Sequence, residues 1–383
     1  MKNILIISQT QIISGAEIVL KDYLENNNTF NFYIYTNSLS TVIENYNKII
    51  PPPQIYTSKY MCTLGLRENP QRVFKFFYYI ICNLLKIHQI IKKNKIAVLY
   101  GNNSHDLILI TLYKKYVNNK IKIIAHIHDI LQKTSIPAFF LRRYCNSIDE
   151  IIVPSNATKL AVNRIADLNN NKIHIVYNGM KIDNSVDKEQ TEIKSQYGVH
   201  SEKIIAFIGT IHQRKRPDIF VQVIKELKKY NSNFFGIMLG GTVDPIFQEN
   251  LEKEIKNNNL PIKIVGKISR DNIMNIYNII DVLILTSDRD PLPTVILEAL
   301  AAGKIVLARD VDGVNEMIED EYNGFIFPYD QSNVKIAEIL DKILKMDENI
   351  LNKIKENAKK TIQNKFTIES KTIKINNIIS KLF

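Results

Sequence analysis

The sequence predicts an α/β protein built from two successive doubly wound, Rossmann-like domains. Short apolar segments alternate with helical ones, which is typical of a parallel sheet covered by helices on both faces. The alternation stops at Asn178-Gly179, a polar segment follows, and the alternation restarts at Lys203. The chain has 383 residues, enough for two domains with a core each. We therefore place the first domain at 1–180 and the second at 200–365.

The elements of the first domain follow from short apolar runs and amphipathic stretches. Predicted strands are 3–8, 31–36, 96–100, 121–126, 150–153 and 172–176. Predicted helices are 16–25, 70–92, 106–116, 137–146 and 156–166. The segment 180–202 has no clear periodicity and is predicted to be a linker.

The second domain repeats the pattern. Predicted strands are 203–209, 234–239, 262–265, 281–285, 304–308 and 324–327, and predicted helices are 217–230, 247–257 and 270–277. From residue 332 the chain is predicted to be helical, with breaks near Asp347 and Thr367. Ligands of such sheets bind beyond the carboxyl ends of the strands. Two facing domains of this kind would enclose a cleft.

The composition indicates a soluble globular protein, with 45% apolar and 23% charged residues. No signal peptide is expected, and no uncharged apolar stretch reaches the roughly 18 residues of a transmembrane helix. Cys62, Cys82 and Cys145 are odd in number and lack metal-binding spacing, which favours free thiols in a reducing compartment. We expect a cytoplasmic protein, and we also consider peripheral binding at the inner face of the membrane.

The net charge of +11 is confined to the first half of the chain. Residues 1–178 carry 21 Lys and Arg against 10 Asp and Glu, whereas the remainder carries 29 of each. A basic half suggests an anionic partner, such as a membrane surface, a lipid phosphate or nucleic acid. The alternative, that the excess of positive charge serves only to keep the protein soluble, explains the count equally well. No nucleic-acid recognition motif is evident, so nucleic-acid binding remains a minor alternative.

The stretch Thr286–Gly303 predicts a strand, an acidic loop and a short helix. Thr294 is expected to cap that helix, and Gly303 to end it in a left-handed conformation. A helix N-terminus offers free N–H groups and partial positive charge, which suit a phosphate. Asp290 and Glu298 flank this terminus, so we expect a nucleotide-sugar to bind here. Paired carboxylates also serve hydrolases, but an acid inside the helix favours binding to sugar hydroxyls.

A basic loop follows the first strand of the second domain. Gly209 leads into Arg214-Lys215-Arg216, and the next helix starts at Pro217. A lysine ammonium offers a compact positive charge, and an arginine guanidinium can donate two parallel hydrogen bonds, so both suit a diphosphate. The alternative is a solvated surface loop.

Two segments of the first domain could contribute to a site. Gly15 and Ala16 open a helix after the first strand, where backbone N–H groups can approach a phosphate or sugar. This turn matches neither GxGxxG nor a P-loop, which disfavours dinucleotides and ATP. His126 and His128 share a face at a strand end. They could be metal ligands, although no third ligand is evident, or phosphate donors, or satisfied polar residues.

Residues 74–93 form an aromatic, aliphatic and basic helical stretch. Interfacial membrane helices have this composition. The stretch directly precedes a predicted strand, which favours packing on the sheet instead.

On these residues, the sequence resembles glycosyltransferase family 4 (group 1), the retaining glycosyltransferases of GT-B architecture. The family's Glu-x7-Glu motif corresponds to Asp290 and Glu298, its Gly-Gly-x-Glu loop to 14–17, and its first-domain histidine to His128. Its basic diphosphate loop corresponds to Gly209 with Arg214 and Lys215. The resemblance also implies that a helix at about 366–383 packs back on the first domain.

The resemblance implies specific roles. Glu298 would bind the ribose, Asp290 the transferred sugar, and Lys215 with Arg214 the leaving diphosphate. His128 would contact sugar or phosphate, so the implied catalytic set is His128, Asp290 and Lys215. The implied donor-binding set is Gly15, Ala16, Gly209, Arg214, Lys215, Lys267, Ile268, Asp290, Leu292, Pro293, Thr294, Val295 and Glu298. No metal and no cofactor are implied.

The implied partners are a nucleotide diphosphate-sugar donor and a saccharide or polyprenyl-phosphate-linked acceptor. The implied process is synthesis of a bacterial-type surface polysaccharide or glycolipid. Asp290 in place of Glu, and Pro291 and Pro293, which lack N–H groups, predict altered donor specificity. The alternative enzyme class is a nucleotide-sugar epimerase or hydrolase on the same fold.

Overall fold

The computed structural model describes residues 1–10, 14–61, 70–181, 189–199 and 202–383, with the side chains of 70–74 and 270–271 excluded. These residues divide into two compact units. The first comprises Met1–Gly179 and Ile368–Phe383, and the second comprises Met180–Thr367. Cys62 and parts of the predicted linker, 182–188 and 200–201, lie outside the described residues. Cys82 and Cys145 are free thiols.

The first unit contains a parallel sheet of seven strands in the order β3-β2-β1-β4-β5-β6-β7. The strands are β1 Asn3–Ser8, β2 Asn31–Asn37, β3 Gln54–Ser58, β4 Val98–Gly101, β5 Lys122–His126, β6 Glu150–Val153 and β7 Ile173–Ile175. The helices are α1 Gly15–Glu25, α2 Val42–Asn47, α3 Pro70–Asn94, α4 Leu107–Tyr116, α5 Ile136–Tyr144 and α6 Asn156–Asn163.

Alternating residues of this sheet enter two separate cores, because side chains along a strand point to opposite faces. Leu5 and Ile7 belong to the core that includes Ile87 of α3. Ile4 and Ile6 belong to the other core. The last helix of the chain, α14 (Ile368–Ser380), contributes Ile375, Ile378 and Ile379 to that second core.

The second unit contains a parallel sheet of six strands in the order β10-β9-β8-β11-β12-β13. The strands are β8 Lys203–Ile208, β9 Phe234–Leu239, β10 Ile262–Gly266, β11 Val282–Leu285, β12 Ile305–Arg309 and β13 Phe325–Phe327. The helices are α7 Gln190–Tyr197, α8 Pro217–Leu227, α9 Pro245–Asn257, α10 Arg270–Ile279, α11 Thr294–Ala301, α12 Asn333–Leu344 and α13 Glu348–Lys365. The predicted α/β class with two parallel sheets is confirmed.

Three local predictions are wrong. The predicted linker contains α7, whose polar sequence buries only Ile193. Strand β3 and helix α2 were not predicted. β3 is an edge strand with half-exposed residues, so it lacks the apolar run that identifies a buried strand.

Within the described residues, no helix has both the length and the apolar content needed to cross a bilayer.

Candidate nucleotide-sugar site

The acidic loop after β11 is fixed by residues from two neighbouring strand ends. The Thr286 hydroxyl donates to the carbonyls of Lys215 (3.0 Å) and Arg216 (2.8 Å), which ties the loop to the basic loop after β8. The Asp290 N–H donates to Asp312 Oδ2 at 2.8 Å, and the Arg289 guanidinium pairs with the same carboxylate at 3.1 Å. The acidic loop is therefore held from both sides.

Lys215 and Asp290, predicted for the diphosphate and the sugar, lie in direct contact. Lys215 Nζ lies 2.5 Å from Asp290 Oδ2. The Asp290 side chain is only 9% exposed, so the pair is largely shielded from water. Arg214 reaches the same loop, where its guanidinium donates to the Arg289 carbonyl at 3.1 Å. The two predicted motifs therefore form one charged centre.

A second charged network lies beside this centre. Asp288 accepts from Arg309 at 2.6 Å and from Arg216 at 3.2 Å. Arg216 also pairs with Asp218, and the Arg309 guanidinium stacks on the Tyr329 ring with 3.9 Å to its centroid. Arg216 has left-handed backbone geometry (φ 51°). This network fixes the turn that presents Lys215.

The sequence analysis missed Asp288, Arg309 and Asp312 as parts of the site. Arg309 is the last residue of β12. Because Leu285, the last residue of β11, pairs with Ala308 in the sheet, Arg309 lies level with the start of the acidic loop. The sequence signal for Arg309 was a charged residue at the carboxyl end of a buried strand, because ligands bind at that end of parallel strands.

Helix α11 begins one residue earlier than predicted. Its N-cap is Pro293, which makes no side-chain cap, and Thr294 is its first residue. The prediction that Thr294 caps the helix is therefore wrong. The predicted end is correct, because Gly303 is left-handed (φ 63°) and Lys304 N–H donates to the Ala299 carbonyl at 2.8 Å. Leu292 and Pro293 are buried before the helix, and Thr294 and Val295 are half-buried in its first turn.

Glu298 is oriented by a buried tyrosine of α10. The Tyr277 hydroxyl donates to Glu298 Oε2 at 2.8 Å and lies 3.2 Å from the Val295 carbonyl oxygen. Burial, together with the Glu298 charge and hydrogen bond, raises the pKa of Tyr277 well above its usual value. Tyr277 is therefore a permanent donor to this carboxylate.

Three glycines let the loops after β8, β9 and β10 pack side by side. Gly240 has a φ of 147°, and a Cβ there would lie 1.9 Å from the Gly209 carbonyl oxygen. Gly240 N–H donates to the Gly266 carbonyl at 2.9 Å. Lys267 and Ile268 follow Gly266; Lys267 is exposed and Ile268 half-buried. Gly209 and Lys267 thus belong to one continuous rim of strand ends.

The first unit carries the remaining predicted residues. Gly15 is the exposed first residue of α1, and a Cβ there would meet no atom of the described residues within 4 Å. Ala16 is half-buried behind it. Glu17 anchors the turn by accepting from the Ser14 N–H at 3.0 Å and its hydroxyl at 2.5 Å. Packing among the described residues therefore gives no reason for a glycine at position 15.

His126 and His128 stack at the end of β5, with ring centroids 3.8 Å apart. His126 Nδ1 lies 2.6 Å from the Tyr100 hydroxyl. The Nε2 atoms of both rings are buried and find no hydrogen-bond partner in the described part of the chain. Burial and the Lys371 charge lower the pKa of His128 to about 3. Burial, together with the His128 and Lys371 charges, also lowers the pKa of His126 well below its usual value. Both imidazoles are neutral at physiological pH.

Across the described ranges, no cluster of three or more His, Cys, Asp or Glu side chains is arranged to hold a metal ion.

Two family descriptions match the chain. Residues 189–361 match the glycosyl transferases of group 1. Residues 51–184 match glycosyltransferase family 4. Together these matches cover most of both units.

Individual relatives match over shorter segments. An uncharacterized glycosyltransferase of Methanocaldococcus jannaschii is 28% identical over 226 residues, 57% of this chain and 56% of that protein. An uncharacterized 41.2 kDa protein in the cps region of Klebsiella pneumoniae is 29% identical over 265 residues, 68% of this chain and 65% of that protein. The matched segment thus spans less than two thirds of the length of either relative.

The fold as a whole matches solved structures. HepE of Anabaena, solved in complex with UDP-glucose, superposes with a TM-score of 0.82 at 18% identity, covering 100% of both chains. At this identity the likeness concerns the fold. The fold and the family matches together define a protein of GT-B architecture. Within that class, the chain belongs to glycosyltransferase family 4, the group 1 glycosyl transferases, which confirms the resemblance seen in the sequence.

Proposed function

We propose that the protein is a retaining glycosyltransferase that uses a nucleotide diphosphate-sugar donor. The acceptor would be a saccharide or a lipid-linked glycan in the synthesis of a bacterial-type surface polysaccharide or glycolipid. The observation that carries this proposal is the contact of Lys215 with Asp290 directly before α11, beside a Glu298 that Tyr277 orients. Cation, acid and helix terminus are the groups that a sugar diphosphate requires.

The donor occupies the rim of strand ends in the second unit. Lys215 and Arg214 offer positive charge to the diphosphate, and the first turn of α11, with Leu292 and Pro293 before Thr294 and Val295, offers N–H groups. Glu298 accepts hydrogen bonds from the ribose, and Asp290 from hydroxyls of the sugar. Gly209, Lys267 and Ile268 line the adjoining edge.

The reaction exchanges one C–O bond for another at the sugar's anomeric carbon. The bond to the diphosphate breaks as the acceptor oxygen attacks from the same face, and the acceptor proton passes to an oxygen of the leaving diphosphate. Negative charge grows on that diphosphate, so preorganised Lys215 and Arg214 stabilise the transition state more than the ground state. These cations meet the electrostatic need without a metal or cofactor.

The first unit contributes neutral hydrogen-bonding groups. His128 stays uncharged because its pKa is lowered to about 3, so its imidazole acts as a hydrogen-bond donor or acceptor to sugar or phosphate rather than as a cation. Gly15 and Ala16 offer backbone to the ligand, which is consistent with the open space beside Gly15.

The relatives suggest which donor to test first. HepE was solved with UDP-glucose, so UDP-glucose heads the panel of donors. The full-length protein is incubated with each nucleotide diphosphate-sugar and with saccharide or polyprenyl-linked acceptors, and products are resolved by mass spectrometry. We expect acceptor-dependent transfer, with product of the same anomeric configuration as the donor by NMR, unchanged in EDTA. Donor turnover at equal rates with and without acceptor would instead indicate a hydrolase.

A further inference from the structure

Helix α3 has one apolar face in the core and a second apolar face in solvent. Ile80, Ile87, Ile90 and Ile91 are buried. On the opposite side, Phe77, Tyr78, Ile81 and Leu85 are between 56% and 61% exposed. Packing on the sheet was expected and is observed, but it leaves these four large apolar side chains exposed.

The exposed apolar residues form a continuous stripe. Phe77, Ile81 and Leu85 are four residues apart, so they lie on successive turns of one helix face. Tyr78 lies beside them and packs its ring against Tyr60, with centroids 5.8 Å apart in an edge-to-face arrangement. Lys59 Nζ lies over the Tyr60 ring, 5.4 Å from its centroid. We call Phe77, Tyr78, Ile81 and Leu85 the α3 ridge.

The α3 ridge lies among positive charges. Lys75, Lys86, Lys92 and Lys93 of the same helix are all exposed. The sequence has no Asp or Glu anywhere from 69 to 105. The positive excess of the chain is also confined to residues 1–178. An occupant of this surface must therefore offer apolar contact in its centre and negative charge at its edge.

We propose that the α3 ridge binds the surface of an anionic lipid bilayer. Phe77, Ile81 and Leu85 would enter the boundary between headgroups and acyl chains, while the lysines remain among lipid phosphates. Tyrosines are favoured at the same depth. The helix lies in the plane of the interface and does not cross the bilayer.

A second copy of this chain fits the ridge less well than a bilayer does. A two-fold interface brings the same surface of both copies together. The lysines around one ridge would then face those of the other, and such like-charge contacts are unfavourable. Charge complementarity thus selects the lipid surface.

Flotation of the full-length protein with lipid vesicles tests this proposal. Wild type is expected to float with vesicles of phosphatidylcholine and phosphatidylglycerol, to float poorly with phosphatidylcholine alone, and to be released by salt. The variant Phe77→Asp/Ile81→Asp is expected to lose about tenfold or more in partitioning. Lys75→Gln/Lys86→Gln is expected to lose about 25-fold, because each lysine near an anionic surface contributes about fivefold.

Matched controls separate this surface from general effects of charge. Val334→Asp/Ile350→Asp places the same two charges on exposed apolar positions of the second unit, and Lys353→Gln/Lys360→Gln removes two exposed lysines there. Both controls should float like wild type. The proposal is overturned if wild type does not bind anionic vesicles at low salt, or if the α3 variants bind as wild type does. It is equally overturned if wild type is a dimer that Phe77→Asp/Ile81→Asp dissociates.

The experiment is independent of donor chemistry. Thermal stabilisation by a nucleotide diphosphate-sugar, measured on the same α3 variants, should equal that of wild type. If the α3 variants lose vesicle binding but keep donor binding, the result supports the proposed lipid-binding surface. If wild type binds vesicles but binds no donor, the lipid-binding proposal is supported and the proposed function is contradicted.

Discussion

Lys215 Nζ and Asp290 Oδ2 lie 2.5 Å apart, although the two residues are 75 positions apart in the chain. They come from the loops after β8 and β11, which are adjacent in the sheet. Because Asp290 is nearly buried, the pair is poorly screened by water, and each charge depends on the other. Under the proposed function, a diphosphate would offer Lys215 a second anion, so we expect the pair to couple donor binding to the position of Asp290.

Asp290→Asn tests this coupling. The amide keeps the shape but removes the charge that balances Lys215, so we expect turnover to fall by about 100-fold and stability by about 1–3 kcal/mol. The measurements are steady-state transfer rates and urea unfolding. Glu338→Gln, which breaks an exposed pair with Lys335, is the control and should cost less than about 1 kcal/mol. Wild-type turnover in Asp290→Asn would show that this carboxylate does not contact the sugar.

Tyr277→Phe tests the orientation of Glu298. Losing one hydrogen bond to a carboxylate should weaken UDP binding about 5- to 30-fold, or about 1–2 kcal/mol, with little change in fold because the ring is retained. Calorimetric titration measures this change. Tyr230→Phe, at an exposed tyrosine, is the control.

The double variant Tyr277→Phe/Glu298→Gln makes the Tyr277 test specific. If Tyr277 acts through Glu298, adding Tyr277→Phe to Glu298→Gln should weaken binding by less than the sum of the two single effects. Strict additivity would mean that Tyr277 has only a packing role.

Gly15→Val separates ligand binding from folding. A Cβ at position 15 would meet no atom of the described residues within 4 Å, so the melting temperature should stay close to that of wild type. The added side chain would occupy the space proposed for the donor, and kcat/KM should fall about tenfold or more. A variant with normal kcat/KM would remove Gly15 and Ala16 from the site.

The buried histidines predict a pH-dependent stability of the first unit. The pKa of His128 is lowered to about 3 in the folded state, whereas it is ordinary in the unfolded chain. Between those values the unfolded state binds the extra proton, so stability is complete above about pH 6.5 and falls by about 1.4 kcal/mol per pH unit below it. Unfolding measured at pH 5 and 6 should show a shallower slope in His128→Asn. Asp106, whose pKa burial raises to about 8, acts in the opposite direction in both proteins and cancels in this comparison. Equal slopes in the two proteins would contradict the prediction.

The sequence predicts those parts of the fold that local patterns encode. Buried strands such as β1 and β11 appear as apolar runs, and Gly303 marks the end of α11 because its left-handed conformation favours glycine. β3 and α7 were missed because an edge strand and a polar helix bury few apolar side chains. Whether a helix begins at Thr294 or one residue later depends on backbone geometry that the sequence leaves open.

The site was predictable as separate segments but not as an arrangement. The acidic loop and the basic loop each have a recognisable local composition. Their contact through Lys215 and Asp290 depends on β8 and β11 being neighbours in the sheet. The partners Arg309 and Asp312 reach the loop from β12 and the turn after it, so no local pattern around Asp290 contains them.

Donor binding by wild type and by Glu298→Ala tests the central claim most directly. The melting temperature is measured with a panel of nucleotide diphosphate-sugars, beginning with UDP-glucose, because a ligand that binds the folded state raises it by mass action. We predict that at least one donor stabilises wild type and that Glu298→Ala, with an unchanged melting temperature in the absence of ligand, loses most of this shift. Wild type that no nucleotide or nucleotide-sugar stabilises, or equal shifts in both proteins, would contradict the account.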